Sequence, residues 1–190
     1  MAISTLDPKT ALLVVDLQKG IAALPTAHPM KDVVRNTAAL LAAFRRRGLP
    51  VVLINVDGRA PGRAERSFSM AGLPADWTDL LPELDRQAGD HVVTKRTWGA
   101  FTHTDLDKYL RGRGVTQVVV AGVATSAGVE STARHAHELG FNVALAVDAM
   151  TDMDADAHLN SVTRIFPKMA ETGMTQELLA IVNAAQEERT

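Results

Sequence analysis

The 190-residue sequence contains no cysteine, and this absence excludes disulfide bonds, thiolate metal ligands and a cysteine nucleophile. It also lacks an excess of charge of either sign, since 20 basic residues stand against 22 acidic ones and the formal net charge is -2 at pH 7. A charge balance of this kind favours neither a nucleic-acid partner nor an anionic membrane.

Long hydrophobic runs are missing as well. The apolar stretches have the length of strands and are too short to cross a bilayer, and the opening MAISTLDPKT lacks the apolar core of a secretion signal. We therefore expect a cytoplasmic protein with no membrane partner. The chain length and the absence of repeats or low-complexity linkers predict one domain over residues 1–190.

Five short runs rich in valine, leucine and isoleucine alternate with segments of helical periodicity. Because successive residues in these runs are apolar, the runs are typical of strands buried on both faces of a parallel sheet. This alternation predicts an α/β fold, a three-layer α/β/α sandwich with a doubly wound sheet. The predicted strands are 11–17, 51–56, 91–95, 117–123 and 142–149, and the predicted helices are roughly 31–47, 103–111, 126–139, 154–166 and 175–187. Residues 57–90, rich in glycine, proline and arginine, are predicted to be a long excursion that covers a site.

Polar residues stand at the carboxyl ends of the predicted strands, where open α/β sheets bind their ligands. Asp16 ends the first strand, Asn55 and Asp57 end the second, and Lys95 ends the third. The bend at 124–128 follows the fourth strand, and the helix beginning there directs backbone N–H groups and its positive dipole toward the same edge. We therefore expect a crevice that combines a carboxylate, an ammonium group and an anion or oxyanion site.

Each of these residues also has a structural alternative. Asp16 can cap a neighbouring loop, and Lys95 can be a surface lysine just past its strand. Trp98 and Phe101 follow Lys95 closely, but aromatic residues taken singly belong more often to a core than to a pocket wall. Gly128 can serve only to supply an unusual φ. The convergence of four strand ends on one edge is what favours the functional interpretation.

Neither a metal nor an organic cofactor is indicated. The segment TDMDADAH (151–158) begins like a calcium loop, but Ala157 replaces the required glycine and Thr163 the required glutamate. The six histidines are scattered, and no dinucleotide fingerprint or Walker lysine is present. We predict no metal site and no cofactor.

Several segments resemble the isochorismatase-like hydrolase superfamily in order and spacing. They are ALLVVDLQKG (11–20), VVTKRTWGAF (92–101), VVVAGVATSAGVESTARHAHELGF (118–141) and LAVDAMTD (145–152). The resemblance implies a six-stranded, mainly parallel sheet flanked by helices, a small-molecule substrate, and a homodimer or homotetramer. Most members are cysteine hydrolases that use an aspartate, a lysine and a cysteine, and these positions correspond to Asp16, Lys95 and Gly128.

The resemblance also implies the backbone geometry of the bend. It places a cis peptide bond between Val123 and Ala124 and an oxyanion hole at the amides of Ala124 and Gly128. Around this centre we expect a substrate-binding set of Asn55, Arg63, Trp98, Phe101 and Val123, with Arg59 and Arg66 as further candidates for binding a carboxylate.

The sequence departs from most of the superfamily at two places. Gly128 stands at the cysteine position, which excludes thiolate attack on an amide, and INVDGRAPGR (54–63) lacks the histidines with which nicotinamidases hold a metal. Isochorismatases proper include members with glycine at this position, and they cleave a vinyl ether to pyruvate and a dihydroxy-cyclohexadiene carboxylate.

Vinyl ether cleavage needs a proton donor and a positioned water but no nucleophilic side chain. The resemblance therefore implies an isochorismatase-type hydrolase with Asp16 as general acid. Burial raises the pKa of such a carboxyl and a nearby lysine lowers it, so the sequence leaves its protonation open. Two other functions also stay open: an amide or ester hydrolase that uses activated water, and a protein that binds a ligand without catalysis.

Overall fold

The computed structural model describes residues 3–65, 69 and 71–187, and a six-stranded sheet forms the centre of this part of the chain. The strands are β1 (Thr10–Val15), β2 (Val51–Val56), β3 (His91–Lys95), β4 (Gln117–Val123), β5 (Asn142–Thr151) and β6 (Glu171–Gly173). Their order is β3-β2-β1-β4-β5-β6, and each neighbouring pair is parallel. The α/β fold predicted from the sequence is confirmed.

Helices cover both faces of the sheet and complete three layers. Helices α2 and α6 pack on one face, and α3 and α4 pack on the other. The helices are α1 (Lys19–Ala22), α2 (Met30–Arg46), α3 (Leu106–Gly112), α4 (Glu130–Glu138), α5 (Ala155–Asn160) and α6 (Thr175–Glu187), with π turns at Thr125–Val129 and Ser161–Ile165 and 3₁₀ turns at Pro82–Leu84 and Phe166–Lys168. Within the described ranges, none of these helices has the length and apolar character needed to span a membrane.

Strand β1 shows how an unbroken apolar run builds two cores. Successive side chains of a strand point to opposite faces, so Leu12 and Val14 join the core beneath α2, whereas Leu13 and Val15 join the core beneath α3 and α4. All four are almost fully buried. Burying one such side chain stabilises the fold by about 1.5–3 kcal/mol relative to leaving it exposed.

The order of the strands reverses direction at β1. The chain moves outward from β1 to β3 on one side, and β4 then returns to the other side of β1. A reversal of this kind leaves a crevice outside the carboxyl ends of the two central strands. Asp16 follows β1 and the bend at 124–128 follows β4, so the fold brings both to this crevice.

Three predicted helices differ from the observed ones in their bounds. The helix predicted at 126–139 is a π turn at Thr125–Val129 followed by α4. The helix predicted at 103–111 begins only at Leu106, because His103 has a φ of 58° and Thr104 Oγ1 donates a 2.6 Å hydrogen bond back to the carbonyl oxygen of Ala100. The helix predicted at 154–166 is α5 followed by a π turn, and Asp154 caps its start. Strand β6 was not found in the sequence pattern because three residues carry no recognisable apolar run.

Candidate active site

Asp16 and Lys95 form a buried ion pair at the carboxyl edge of the sheet. Lys95 Nζ donates a 2.8 Å hydrogen bond to Asp16 Oδ2 and a 3.1 Å hydrogen bond to the carbonyl oxygen of Thr97. The side chains of Lys95 and Asp16 are 1% and 8% exposed. Lys95 ends β3, two strands and therefore roughly 10 Å from β1, so a long side chain is required to cross the end of β2 and reach the carboxylate.

The carboxyl group of Asp16 is poised to hold and release a proton near neutral pH. Burial raises the pKa of Asp16 to about 6, although the charge and hydrogen bond of Lys95 act in the opposite direction. Within the described part of the chain, no donor reaches the buried Oδ1 atom, whereas Oδ2 is bound to Lys95. One oxygen is therefore held in place and the other is left for a proton or a substrate.

Gly128 leaves space directly beside this carboxyl group. A Cβ built on Gly128 would lie 3.1 Å from Asp16 Oδ2 and 3.1 Å from Val15 Cγ1. Both distances are tighter than most contacts of a real Cβ, so a side chain here would require the side chains of Asp16 and Val15 to shift by a few tenths of an ångström. The glycine lets the bend approach the end of β1, and it offers no nucleophile.

Hydrogen bonds from two other elements hold the bend in place. Asp152, which follows β5, accepts hydrogen bonds from the backbone N–H of Ser126 at 2.7 Å and from its hydroxyl at 2.8 Å. Thr132 Oγ1 donates to the carbonyl oxygen of Gly128 at 2.7 Å and accepts from the N–H of Ala100 at 3.1 Å. The bend is thus tied to β5 and to the segment that follows Lys95.

A cavity of about 230 Å³ lies beside the ion pair. Typical ligand pockets have volumes of about 300–1,000 Å³, so this smaller cavity suits a small molecule. Its charged lining residues are Asp16, Lys95 and Arg59. Most of the other walls are apolar and include Ile21, Leu24, Trp77, Trp98 and Met153.

The structure brings most of the predicted site residues to this cavity. Its lining includes the three predicted catalytic residues, both residues of the predicted oxyanion hole and two of the predicted substrate-binding residues; these are Asp16, Lys95, Gly128, Ala124, Val123 and Trp98. The peptide bond between Val123 and Ala124 is cis. In the described residues, no group of three or more histidine, aspartate or glutamate side chains is arranged to hold a metal ion.

Three of the predicted substrate-binding residues do not line the cavity. Asn55 Nδ2 donates to the carbonyl oxygen of Thr78, and its Oδ1 accepts from Thr94, because side chains alternate along β2 and the next residue faces the cavity. Phe101 packs in the core, with its ring 6.1 Å from that of Phe141. Arg63 is exposed on the surface.

Asp57, Arg59 and Arg66 are the remaining candidates from the strand ends and the arginine-rich excursion. Asp57 Oδ2 accepts a 3.4 Å hydrogen bond from Arg96 and is absent from the cavity lining. Arg59 does line the cavity. Arg66 lies outside the described residues.

Trp77 is a cavity wall that sequence reasoning missed. It belongs to the excursion at 57–90, whose position on the sheet has no periodic signal. The carbonyl oxygen of Trp77 accepts hydrogen bonds from Gln18 Nε2 at 3.0 Å and from the N–H of Gly20 at 3.0 Å. A Cβ on Gly20 would lie 1.9 Å from Trp77 Cδ1, so the glycine is required for the indole to pack there. A glycine at position 20 indicates that some group packs closely there, but the sequence does not show that this group is Trp77.

Known proteins are similar to this chain in both sequence and fold. A family model described as the isochorismatase domain matches residues 10–177. The isochorismatase family protein YwoC of Bacillus subtilis (strain 168) is 40% identical over 178 residues, which is 90% of this chain and 93% of that protein. A streptothricin hydrolase of Streptomyces noursei is 37% identical over 151 residues, which is 77% of this chain and 51% of that protein. The structure of an isochorismatase family protein from Burkholderia thailandensis aligns with a TM-score of 0.91 at 40% identity, over 96% of this chain and 100% of that one.

Proposed function

The chain belongs to the isochorismatase family of hydrolases, and on this premise we propose that it cleaves a small carboxylated vinyl ether such as isochorismate. The observation that carries the proposal is the state of Asp16: buried, bound to Lys95 through one oxygen, and with a pKa raised to about 6. A general acid must hold its proton near the working pH. The covalent mechanism of the cysteine hydrolases would need a thiol at position 128, where this chain has glycine.

In the proposed reaction, Asp16 protonates the terminal carbon of the vinyl ether. The resulting oxocarbenium ion adds water, the adduct loses a proton that restores Asp16, and the hemiketal collapses to pyruvate and an alcohol. Lys95 stabilises the carboxylate that Asp16 becomes once its proton has left. Atoms balance with the consumption of one water, and no bond to the protein forms.

The backbone of the bend has a supporting role in this proposal. The N–H groups of Ala124 and Gly128 serve as hydrogen-bond donors to a substrate oxygen, and both residues line the cavity. Val123 and Trp98 serve as walls against the body of the substrate. Removal of the side chain at Gly128 leaves room for a substrate bulkier than a simple amide.

A second candidate is an amide or ester hydrolase that uses activated water. Above its pKa of about 6, Asp16 is ionised and can accept a proton from water instead of donating one. The similarity to a streptothricin hydrolase favours keeping this candidate. A protein that only binds its ligand is disfavoured, because Asp16 and Lys95 stay paired beside the cavity.

The test is a coupled assay of pyruvate release from isochorismate, run beside a panel of amides that includes nicotinamide. Pyruvate formation without amide turnover supports the proposed reaction. Amide turnover without pyruvate contradicts it and supports the activated-water hydrolase. Inactivity on both substrate classes contradicts both and returns the binding-only alternative to consideration.

We also propose that the protein is a cytoplasmic homodimer or homotetramer. The support for assembly is the exposure of large apolar side chains around the cavity: Trp98 is 68% exposed and Met153 is 49% exposed, and both line the cavity. Apolar groups clustered at the edge of a site are a usual feature of surfaces that another subunit covers.

A further inference from the structure

We infer that Arg59 binds a carboxylate of the ligand, and that the cavity selects small, flat, unsaturated-ring or aromatic carboxylates. The catalytic meaning of this inference rests on the proposed function. The binding itself does not depend on turnover, so it can be tested separately.

The first argument is the charge balance of the cavity. Two of its three charged residues neutralise each other, because Lys95 Nζ lies 2.8 Å from Asp16 Oδ2. Within the described residues, no carboxylate forms an ion pair with Arg59. The nearby Arg96, by contrast, is paired with Asp57. Arg59 therefore supplies the uncompensated positive charge of the cavity.

The second argument is the geometry of a guanidinium group. Its planar fork of donors matches the two oxygens of a carboxylate, so it favours a bidentate anion over a neutral amide or hydroxyl group. Arg59 stands at an exposed position of the cavity wall, from which it can meet an entering anion.

The third argument is the chemistry of the remaining walls. Ile21, Leu24 and Met153 present no donor for a second charged group, and an unpaired carboxylate buried against them would be costly. While Asp16 is ionised, the charged side chains of the cavity therefore leave one cation, Arg59, for an anionic group. A second carboxylate is matched only when Asp16 takes up a proton and leaves the charge of Lys95 free.

The fourth argument is shape. Trp77 and Trp98 both line the cavity, and indole faces favour flat rings. Hydrogen bonds and ion pairs also hold Trp77 in position. Gln18 and Gly20 donate hydrogen bonds to its carbonyl oxygen. On the same segment, Asp76 and Asp79 form ion pairs with Lys19. The wall is therefore formed before a ligand arrives, which lowers the cost of binding.

The chain offers a direct readout, because it contains two tryptophans and both line the cavity. Tryptophan fluorescence therefore reports on occupancy of the cavity. We would titrate the protein at about pH 8 with benzoate, a flat monoanion, and with benzamide, its neutral analogue. We expect benzoate to bind about tenfold more tightly, the low end for a charged hydrogen-bonded contact, because Arg59 is exposed and partly screened by solvent.

Matched variants separate Arg59 from its neighbour on the same segment. Arg59→Ala should weaken benzoate binding by about tenfold and leave benzamide binding unchanged. Arg63→Ala should leave both unchanged, since Arg63 does not line the cavity. Equal affinity for the two probes, loss of benzoate binding in Arg63→Ala instead, or no binding of either probe would overturn the inference.

A dicarboxylate probe tests the charge balance. At about pH 8 benzene-1,3-dicarboxylate should bind no more tightly than benzoate, and below pH 6 it should gain affinity relative to benzoate because protonated Asp16 frees Lys95. The same pH response for both probes would contradict the charge balance. Failure of the proposed function can be distinguished from failure of this inference. In that case benzoate binds through Arg59, but isochorismate yields no pyruvate.

Discussion

Gly128 and Asp16 approach so closely that a Cβ on the glycine would lie 3.1 Å from Oδ2 of the carboxylate. That oxygen is also the one that accepts the hydrogen bond of Lys95. A side chain at 128 therefore requires the carboxylate of Asp16, and with it the contact to Lys95, to shift by a few tenths of an ångström. The absence of a side chain is thus compatible with an intact acid, and this relationship leads to the first prediction.

A thiol introduced at position 128 should not make vinyl ether cleavage faster. We expect Gly128→Cys to lower kcat/KM for vinyl ether cleavage by about tenfold, because a side chain that shifts the carboxyl of Asp16 misplaces the proton donor. Gly128→Ala is the matched control, since it adds the same Cβ without sulfur. The pyruvate-release assay measures both. A gain in rate for the cysteine variant alone would show that a nucleophile helps after all.

Removing the acid should remove the reaction and spare the fold. Asp16→Asn keeps the size of the side chain and an acceptor for Lys95 but cannot donate an acidic proton. We expect kcat to fall by about 10²–10⁴-fold, the usual contribution of a general acid. Circular dichroism and thermal unfolding serve as the control for folding. A residual rate within about threefold of the wild type would contradict the assigned role.

The pH dependence of kcat/KM should be that of a reaction that needs a protonated acid. The protonated form of Asp16 is the active one, so kcat/KM should be level below pH 6 and fall about tenfold per unit above the pKa of about 6. Lys95→Met should move the inflection to higher pH, because Lys95 lowers the pKa of Asp16. An activity that instead rises through pH 6 would indicate a base and favour the activated-water hydrolase.

The support of the bend should matter for rate as well as stability. Asp152→Ala leaves the N–H and hydroxyl of Ser126 without their acceptor, so we expect a loosened bend and a drop in kcat/KM of about 10–100-fold. Asp154→Ala is the matched control: it removes the cap of α5, costs about 1 kcal/mol of stability and should keep the rate. Equal rates in the two variants would assign Asp152 a structural role only.

Assembly should be visible in the mass of the protein in solution. Light scattering at micromolar concentration should give twice or four times the chain mass of 20.4 kDa. The physical reason is the exposed apolar surface of Trp98 and Met153 around the cavity. A monomer mass at this concentration would count against the homodimer or homotetramer.

The strands and the central pair of the site could be predicted from local sequence. Valine-rich runs reveal buried parallel strands because both faces of such strands must be apolar. Asp16 and Lys95 then follow from the rule that ligands bind at the carboxyl ends of the strands. Both residues line the cavity, since the sheet itself brings its strand ends to one edge.

The walls of the cavity and the protonation of Asp16 required the tertiary structure. Which side of β2 faces the cavity, and where the excursion with Arg59 and Trp77 packs, depends on contacts between residues far apart in the chain. That is why Asn55 was chosen from the sequence and Trp77 was not. The pKa of Asp16 likewise depends on the balance between desolvation and the charge of Lys95, and burial prevails only in the folded arrangement that removes the carboxyl from water.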